Sequence, residues 1–144
     1  MTVFTDNSEQ VKAALKRKLL IALEEGGALF ESGAMRLTRV DTSKLKGSWG
    51  HIVDEGAMEV SIGNTEENAL WEEYGTGEYA LEGDGRKTAW LVPAESLSPK
   101  WRAIFPHGML TRGKKPQRML YNAYQRHKEA VKKRTQALLA RFNA

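Results

Sequence analysis

Two amphipathic helical stripes, one near each end of the chain, leave only its middle for strands. Val11, Leu15, Leu19, Ala22 and Leu23 recur at spacings of three and four, while Lys12, Lys16 and Arg17 fall off that stripe. Asp6-Asn-Ser-Glu9 reads as the start of this first helix, with Asp6 as cap and Glu9 able to reach back. The pattern continues past Gly26-Gly27 to about Ser32, so one long helix is expected, weakened at the double glycine. At the other end, Leu120, Ala123 with Tyr124, His127, Val131, Leu138 and Phe142 form a second stripe. Arg118, Arg126, Lys132, Lys133 and Arg141 lie mostly off it. Pro116 is expected at the first helical position, where its missing N–H costs nothing.

Between the helices the signals are β-like and short. Trp49 to Val53 and Met58 to Ile62 predict a hairpin, with Gly56 in the left-handed position of its loop. Thr42 or Asp41 is expected to cap a single helical turn through Leu45, and Gly47 to release the chain near Ser48. Gly63-Asn64 reads as a turn and Glu66 to Leu70 as a short helical turn. Thr88 to Val92 predicts a strand that stops at Pro93, and Ala103 to Phe105 a last short one. Ala94 to Arg102 reads as irregular, and Pro106 to Lys115 as a basic loop. The expectation is a single α+β domain over residues 1–144. It has an N-terminal helix, a small antiparallel sheet of short strands and a long C-terminal helix packed on the sheet.

Trp71-Glu-Glu-Tyr-Gly-Thr-Gly-Glu-Tyr-Ala80 is the densest stretch, read as a strand running into a tight turn. Gly75 and Gly77 bracket Thr76 and point to a sharp reversal or a close backbone approach. Trp71 and Tyr74, three apart, share a face only if the segment is helical.

The net charge of +4 conceals a partition. Residues 1–99 carry 10 basic and 17 acidic side chains, residues 100–144 carry 12 basic and 1 acidic. From Gly47 to Gly85 there are ten Asp or Glu and no Lys or Arg. Three explanations fit: two solvated faces, a polyanion-binding tail, or subunits that pair an acidic face with a neighbour's basic one. The third predicts that Glu72, Glu73 and Glu78 lie near a neighbour's Arg112, Lys114, Lys115 and Arg118.

Catalytic constellations are not evident. His51, His107 and His127 are scattered and lack metal-type spacing. Glu72 and Glu73, adjacent on a strand, would point to opposite faces and make a poor acid–base pair. Gly75-Thr-Gly77 has neither the Lys-Ser/Thr of a P-loop nor dinucleotide-loop spacing. The serines show no nucleophile elbow. The chain is therefore expected not to be an enzyme and to need no cofactor or metal. No apolar run approaches the length of a membrane span. No signal peptide is read at the N-terminus. The absence of cysteine fits assembly in a reducing cytoplasm.

Three segments together resemble a known family. Asp41-Thr-Ser-Lys-Leu-Lys-Gly-Ser48 resembles the D-T-G-x-L-x-x-S segment of the minor tail component or neck family of HK-ninety-seven-type long-tailed bacteriophages. Glu73-Tyr-Gly-Thr-Gly77 is similar to its E-x-G-T-G signature, and the Pro116-led segment with Met119 and Leu120 to the lead-in of its last helix. The resemblance extends roughly from Val11 to Phe142. Ser43 stands where a glycine is usual, and Arg118 where a second proline is common. The resemblance implies a structural virion protein of the head–tail connector, assembled in the bacterial host cytoplasm. It implies a homo-oligomeric ring that joins or completes the tail beside neighbouring connector and tail proteins. Thr42, Leu45, Ser48, Gly75 and Gly77 then read as fold-defining turn positions. The alternative is a small basic cytoplasmic protein that binds nucleic acid through its C-terminal third. A basic surface lining a ring would meet phage DNA without reading its sequence.

Overall fold

A computed structural model describes residues 3, 5–39 and 43–141, which fall into two compact units. The first unit is Met1–Glu66 with Met119–Ala144, and the second is Glu67–Arg118. The architecture is α+β.

The first unit is built on α1, Ser8–Leu37, a continuous helix of 30 residues. It begins where Asp6 Oδ1 accepts the Ser8 N–H at 2.9 Å, whereas Glu9 pairs forward with Lys12. Its end is set by Thr38, which turns extended at φ −71° and ψ 120°. The Thr38 hydroxyl donates to Ala34 O at 2.7 Å and accepts from the Trp49 indole Nε1 at 2.8 Å. Both groups are buried, so this relay satisfies polar atoms that would otherwise cost about 1–3 kcal/mol each. Asp41 and Thr42 lie outside the described residues, so the capping expected of them is not part of the account. The short helix α2, Ser43–Gly47, buries Leu45, and the Ser48 hydroxyl donates back to Lys44 O at 2.7 Å.

Strands β1, Trp49–Asp54, and β2, Glu59–Asn64, form an antiparallel hairpin with Trp49 opposite Asn64 and Asp54 opposite Glu59. The strand therefore runs through Gly63-Asn64, where a turn was expected. The left-handed loop position falls on Met58, at φ 54°, and not on Gly56. Asp54 explains the shift: its Oδ1 accepts the N–H groups of Gly56 and Ala57 at 2.8 and 2.9 Å, an Asx turn that holds the first half of the loop.

The double glycine in α1 is a packing site rather than a break. Gly26 and Gly27 are both buried within the continuous helix. A Cβ on Gly27 would lie 2.6 Å from His51 Cδ2 and 2.8 Å from Val60 Cγ2, so the hairpin approaches α1 to a distance that any side chain would forbid. The intrinsic cost of about 1 kcal/mol per helical glycine is offset by that contact.

The last helix, α5, spans Met119–Ala140. Its main partner is α1 and not the sheet on which it was expected to lie. The reason is the small-residue seam of α1: Val131 fits against Gly26, and His127 and Ala123 against Gly33. Ala34, Trp49, Met119 and Ala123 form the core of this unit, with Met35, Leu37 and Leu120 packed around it. Phe30 and Tyr124 stack loosely, ring centres 5.7 Å apart, although Tyr124 stays half-exposed. Phe142, the last residue of the expected stripe, lies outside the described residues. Pro116 precedes the helix rather than opening it, because Arg118 adopts φ 53°.

In the second unit the chain forms α3, Asn68–Tyr74, then β3, Trp90–Val92, α4, Pro99–Ile104, and β4, Met109–Thr111. β3 and β4 pair antiparallel with Leu91 opposite Leu110. Three expectations are corrected here. The Trp71–Tyr74 segment is helical and not a strand; Ala103 and Ile104 finish α4 instead of forming a strand; and the basic loop contains β4. Pro99 at the start of α4 explains the second: it favours a helical first turn that the bulky Trp101, Ile104 and Phe105 then ride on.

Met119 is the largest side chain with no exposure among the described residues. Met119→Ala should therefore destabilise the protein by roughly 2–5 kcal/mol, measured as a lowered midpoint in chemical denaturation.

Candidate functional site

The Gly75-Thr-Gly77 turn is the organising point of the second unit. α3 ends when Gly75 takes φ 75°, and Gly77 follows at φ 61° before a short 3₁₀ turn, Gly77–Tyr79. The turn pairs with the segment that leaves β4. Thr76 N–H donates to Lys114 O at 2.9 Å, Glu78 N–H to Arg112 O at 2.9 Å, and Lys114 N–H to Thr76 Oγ1 at 2.9 Å. A Cβ on Gly77 would collide with the Arg112 carbonyl and sit 2.8 Å from Trp90 Cη2. Glycine is required here twice, by φ and by space.

The same pairing brings acidic and basic residues together within one chain. Arg112 Nη1 donates to Glu78 Oε1 at 2.7 Å. Lys114 Nζ and the Gln117 amide both bond the Glu72 carboxylate, and Gln117 N–H donates to Glu72 O at 2.6 Å. Glu72 is 7% exposed. A carboxylate so buried needs such partners, since an unpaired buried charge is severely penalised. Lys115 lies over the Tyr79 ring, 5.7 Å from its centre. Glu73 is half-buried on α3, and Arg118 half-buried ahead of α5. A reversal of Lys114 would therefore reach Glu72 and the local fold before it reached any neighbour.

Once α3 is seen as a helix, a feature hidden by the strand reading emerges. Ala69 and Glu72 point inward, while Leu70, Trp71 and Tyr74 face solvent, 62%, 55% and 45% exposed. The helix is inside out. The spacing of Glu67, Leu70, Trp71 and Tyr74 carries that signal, but only at helical period.

A second cluster, in the first unit, was invisible to sequence. The imidazole of His51 lies between two α1 carboxylates, Nδ1 2.5 Å from Glu31 Oε2 and Nε2 3.1 Å from Glu24 Oε1. A neutral imidazole donates one hydrogen bond, so two carboxylate acceptors favour the imidazolium. Glu31 is the main cause that raises the His51 pKa, helped by Glu24, while burial opposes it. His51 is 20 positions from Glu31 and 27 from Glu24 in sequence, and Gly27 is what admits the ring. Among the described residues no group of three or more His, Asp or Glu could hold a metal ion, and no helix is long and apolar enough to cross a membrane.

This architecture carries a family signature. A family model described as "Bacteriophage HK97-gp10, putative tail-component" matches residues 3–75. The chain belongs to this family. The match takes in α1, the Asp41–Ser48 segment, the hairpin and α3, and ends at Gly75. No curated protein and no solved structure matches the chain. Membership makes it a bacteriophage tail component, a protein of the virion.

Two measurements test the geometry of this family member. Gly77→Ala should cost more than the roughly 1 kcal/mol of an ordinary glycine exchange, and thermal melting reads it directly. For His51 the folded pKa exceeds the ordinary value of 6.5. Its contribution is complete below that value. As pH rises past it the unfolded chain loses the proton first, so stability falls until the folded histidine also titrates. Melting temperature should drop across that interval in the native protein, and His51→Gln should flatten the drop.

Proposed function

We propose that the protein is a structural component of the head–tail connector, a neck or tail-completion protein whose copies close into a ring. The observation that carries this reading is the imbalance of the second unit. It buries two apolar side chains, Ala69 and Leu97, yet exposes Leu70, Trp71, Leu91, Ile104 and Leu110 by 55% to 71%. Leu91 and Leu110 face each other across the β3–β4 pair, so their exposure forms one patch and not scattered points. A unit of this size cannot cover the entropy of ordering with so small a core. Burial against other copies or other tail proteins supplies what is missing. Contiguous apolar surface of this kind marks interaction sites.

Family membership supports the virion setting. In a closed head-to-tail ring each subunit offers one surface to one neighbour and a different one to the next. The role needs no catalytic step and no cofactor; its partners are its own copies and adjoining connector and tail proteins. The basic residues Arg126, Lys132 and Lys133 of α5, and Arg141 just beyond it, are all exposed, which favours a further contact with DNA or with an acidic neighbour.

Electron microscopy and native mass spectrometry of the purified chain, alone and with the adjoining tail proteins, should show closed rings of one subunit number. Particles that stay monomeric under every condition would refute the ring. If α5 meets DNA, duplex DNA should be retarded at low salt and released as salt rises.

A further inference from the structure

The β1–β2 hairpin is fixed at its base and held further along by one titratable side chain. At the base, Trp49 is buried with its indole Nε1 donating to the Thr38 hydroxyl, and Asn64 opposite it donates from Nδ2 to Leu45 O at 2.9 Å. The next rung pairs Gly50 with Gly63. Neither glycine takes a positive φ and space is open around both, so neither a turn nor a close approach accounts for them. Two opposed glycines leave this rung without a side chain on either strand, which makes it the place where the ladder bends most easily. The rung after it is His51 opposite Ile62. Beyond that the hairpin presents Val53, Met58 and Val60, all half-buried, so its far part has little apolar grip of its own.

The His51 contact is electrostatic. Its ring bonds Glu31 and Glu24, one from each nitrogen. From Leu19 to Met35 α1 carries three carboxylates and no Lys or Arg, and residues 49–64 carry no Lys or Arg either. The third carboxylate, Glu25, is turned to Arg134 of α5. The inner positions of β2, Val60, Ile62 and Asn64, are uncharged, while Asp54, Glu55 and Glu59 are exposed at the far end. α5 meets α1 at Gly26 and Gly33, where its titratable group is His127. The His51 proton is therefore the one positive charge that α1 and the hairpin set between Glu24 and Glu31. When it leaves, one ring nitrogen turns a lone pair toward a carboxylate oxygen, and the two carboxylates lose the cation they share. We propose that the hairpin is a proton-latched arm: it lies on α1 while His51 is charged, and swings away about the Gly50–Gly63 rung when the imidazole deprotonates. The swing bares Gly27 and the inner valines while Trp49 and Asn64 hold the base in place. The device belongs to the single chain and does not depend on the ring.

Val60→Cys places a single thiol against Gly27, in a chain that has no cysteine of its own. Its reaction with an aromatic disulfide reagent is measured against the urea-unfolded chain at the same pH, which removes the titration of the thiol itself. Protection should fall about tenfold or more from about pH 6 to about pH 9, the equivalent of one hydrogen bond to a charged group. After His51→Gln it should be the same at both ends of that range. Val53→Cys, opposite Val60 in the ladder, repeats the measurement should the Val60 variant fold poorly. The Trp49 indole N–H, followed by NMR and corrected for intrinsic exchange, should stay protected throughout. Gly50→Val with Gly63→Val, built into open space, should stiffen the rung and reduce the opening at high pH about threefold or more. Protection that is constant with pH in the His51 chain overturns the latch, and so does a pH dependence that survives His51→Gln. Loss of Trp49 protection in step with the thiol means that the whole unit opens and overturns the arm. Undiminished opening in the double-valine chain overturns the hinge.

Discussion

The first unit depends on how closely other elements can approach α1. Gly26, Gly27, Gly33 and Ala34 are all buried on that helix, and each removes side-chain volume where something else packs. The hairpin meets it through His51 and Val60, and α5 through Val131, His127 and Ala123. Glycines in a helix cost propensity but permit short interaxial distances, so the helix is stabilised mainly by what lies against it. The Thr38 relay between Ala34 O and the Trp49 indole then fixes where α1 stops and where β1 begins. Arg134 forks both oxygens of Glu25 on the exposed side, a contact that aligns α5 with α1 but adds little stability in water.

The second unit follows a different logic. Its order comes from backbone pairing and from a buried carboxylate rather than from an apolar core. The Gly75-Thr-Gly77 turn behaves as a short extra edge beside Arg112–Lys114, and Glu72 gathers Lys114 and Gln117 at its base. Polar construction of this kind specifies geometry while leaving apolar side chains free to point outward. A unit whose internal contacts are polar and whose outer surface is apolar is suited to assembly, since association buries what folding did not.

What the sequence by itself determined is the class and the outer frame. The stripes of Val11–Leu23 and Leu120–Leu138 placed two long helices, and the alternation around Trp49 and Ile62 placed a hairpin. The Asp41–Ser48 and Glu73–Gly77 segments carried the family resemblance. These signals are local, and period alone reveals them. The glycines at 75 and 77 were legible as turn positions for the same reason.

Tertiary structure decided the rest. Whether Gly26-Gly27 would break α1 or receive the hairpin depends on His51 and Val60, more than 20 positions away. Whether α5 would cover the sheet or α1 depends on a seam of small residues, Gly26 and Gly33, whose partners Val131, His127 and Ala123 lie far along the chain. Met58 took the left-handed position because the Asp54 carboxylate claimed the preceding amides. The Trp71–Tyr74 segment looks strand-like by composition, yet it folds as a helix around Glu72, whose partners Lys114 and Gln117 arrive only when the chain returns 42 and 45 residues later. Propensity over seven residues is too weak to oppose such a contact, so the outward face of α3 was decided by the interior it leaves behind.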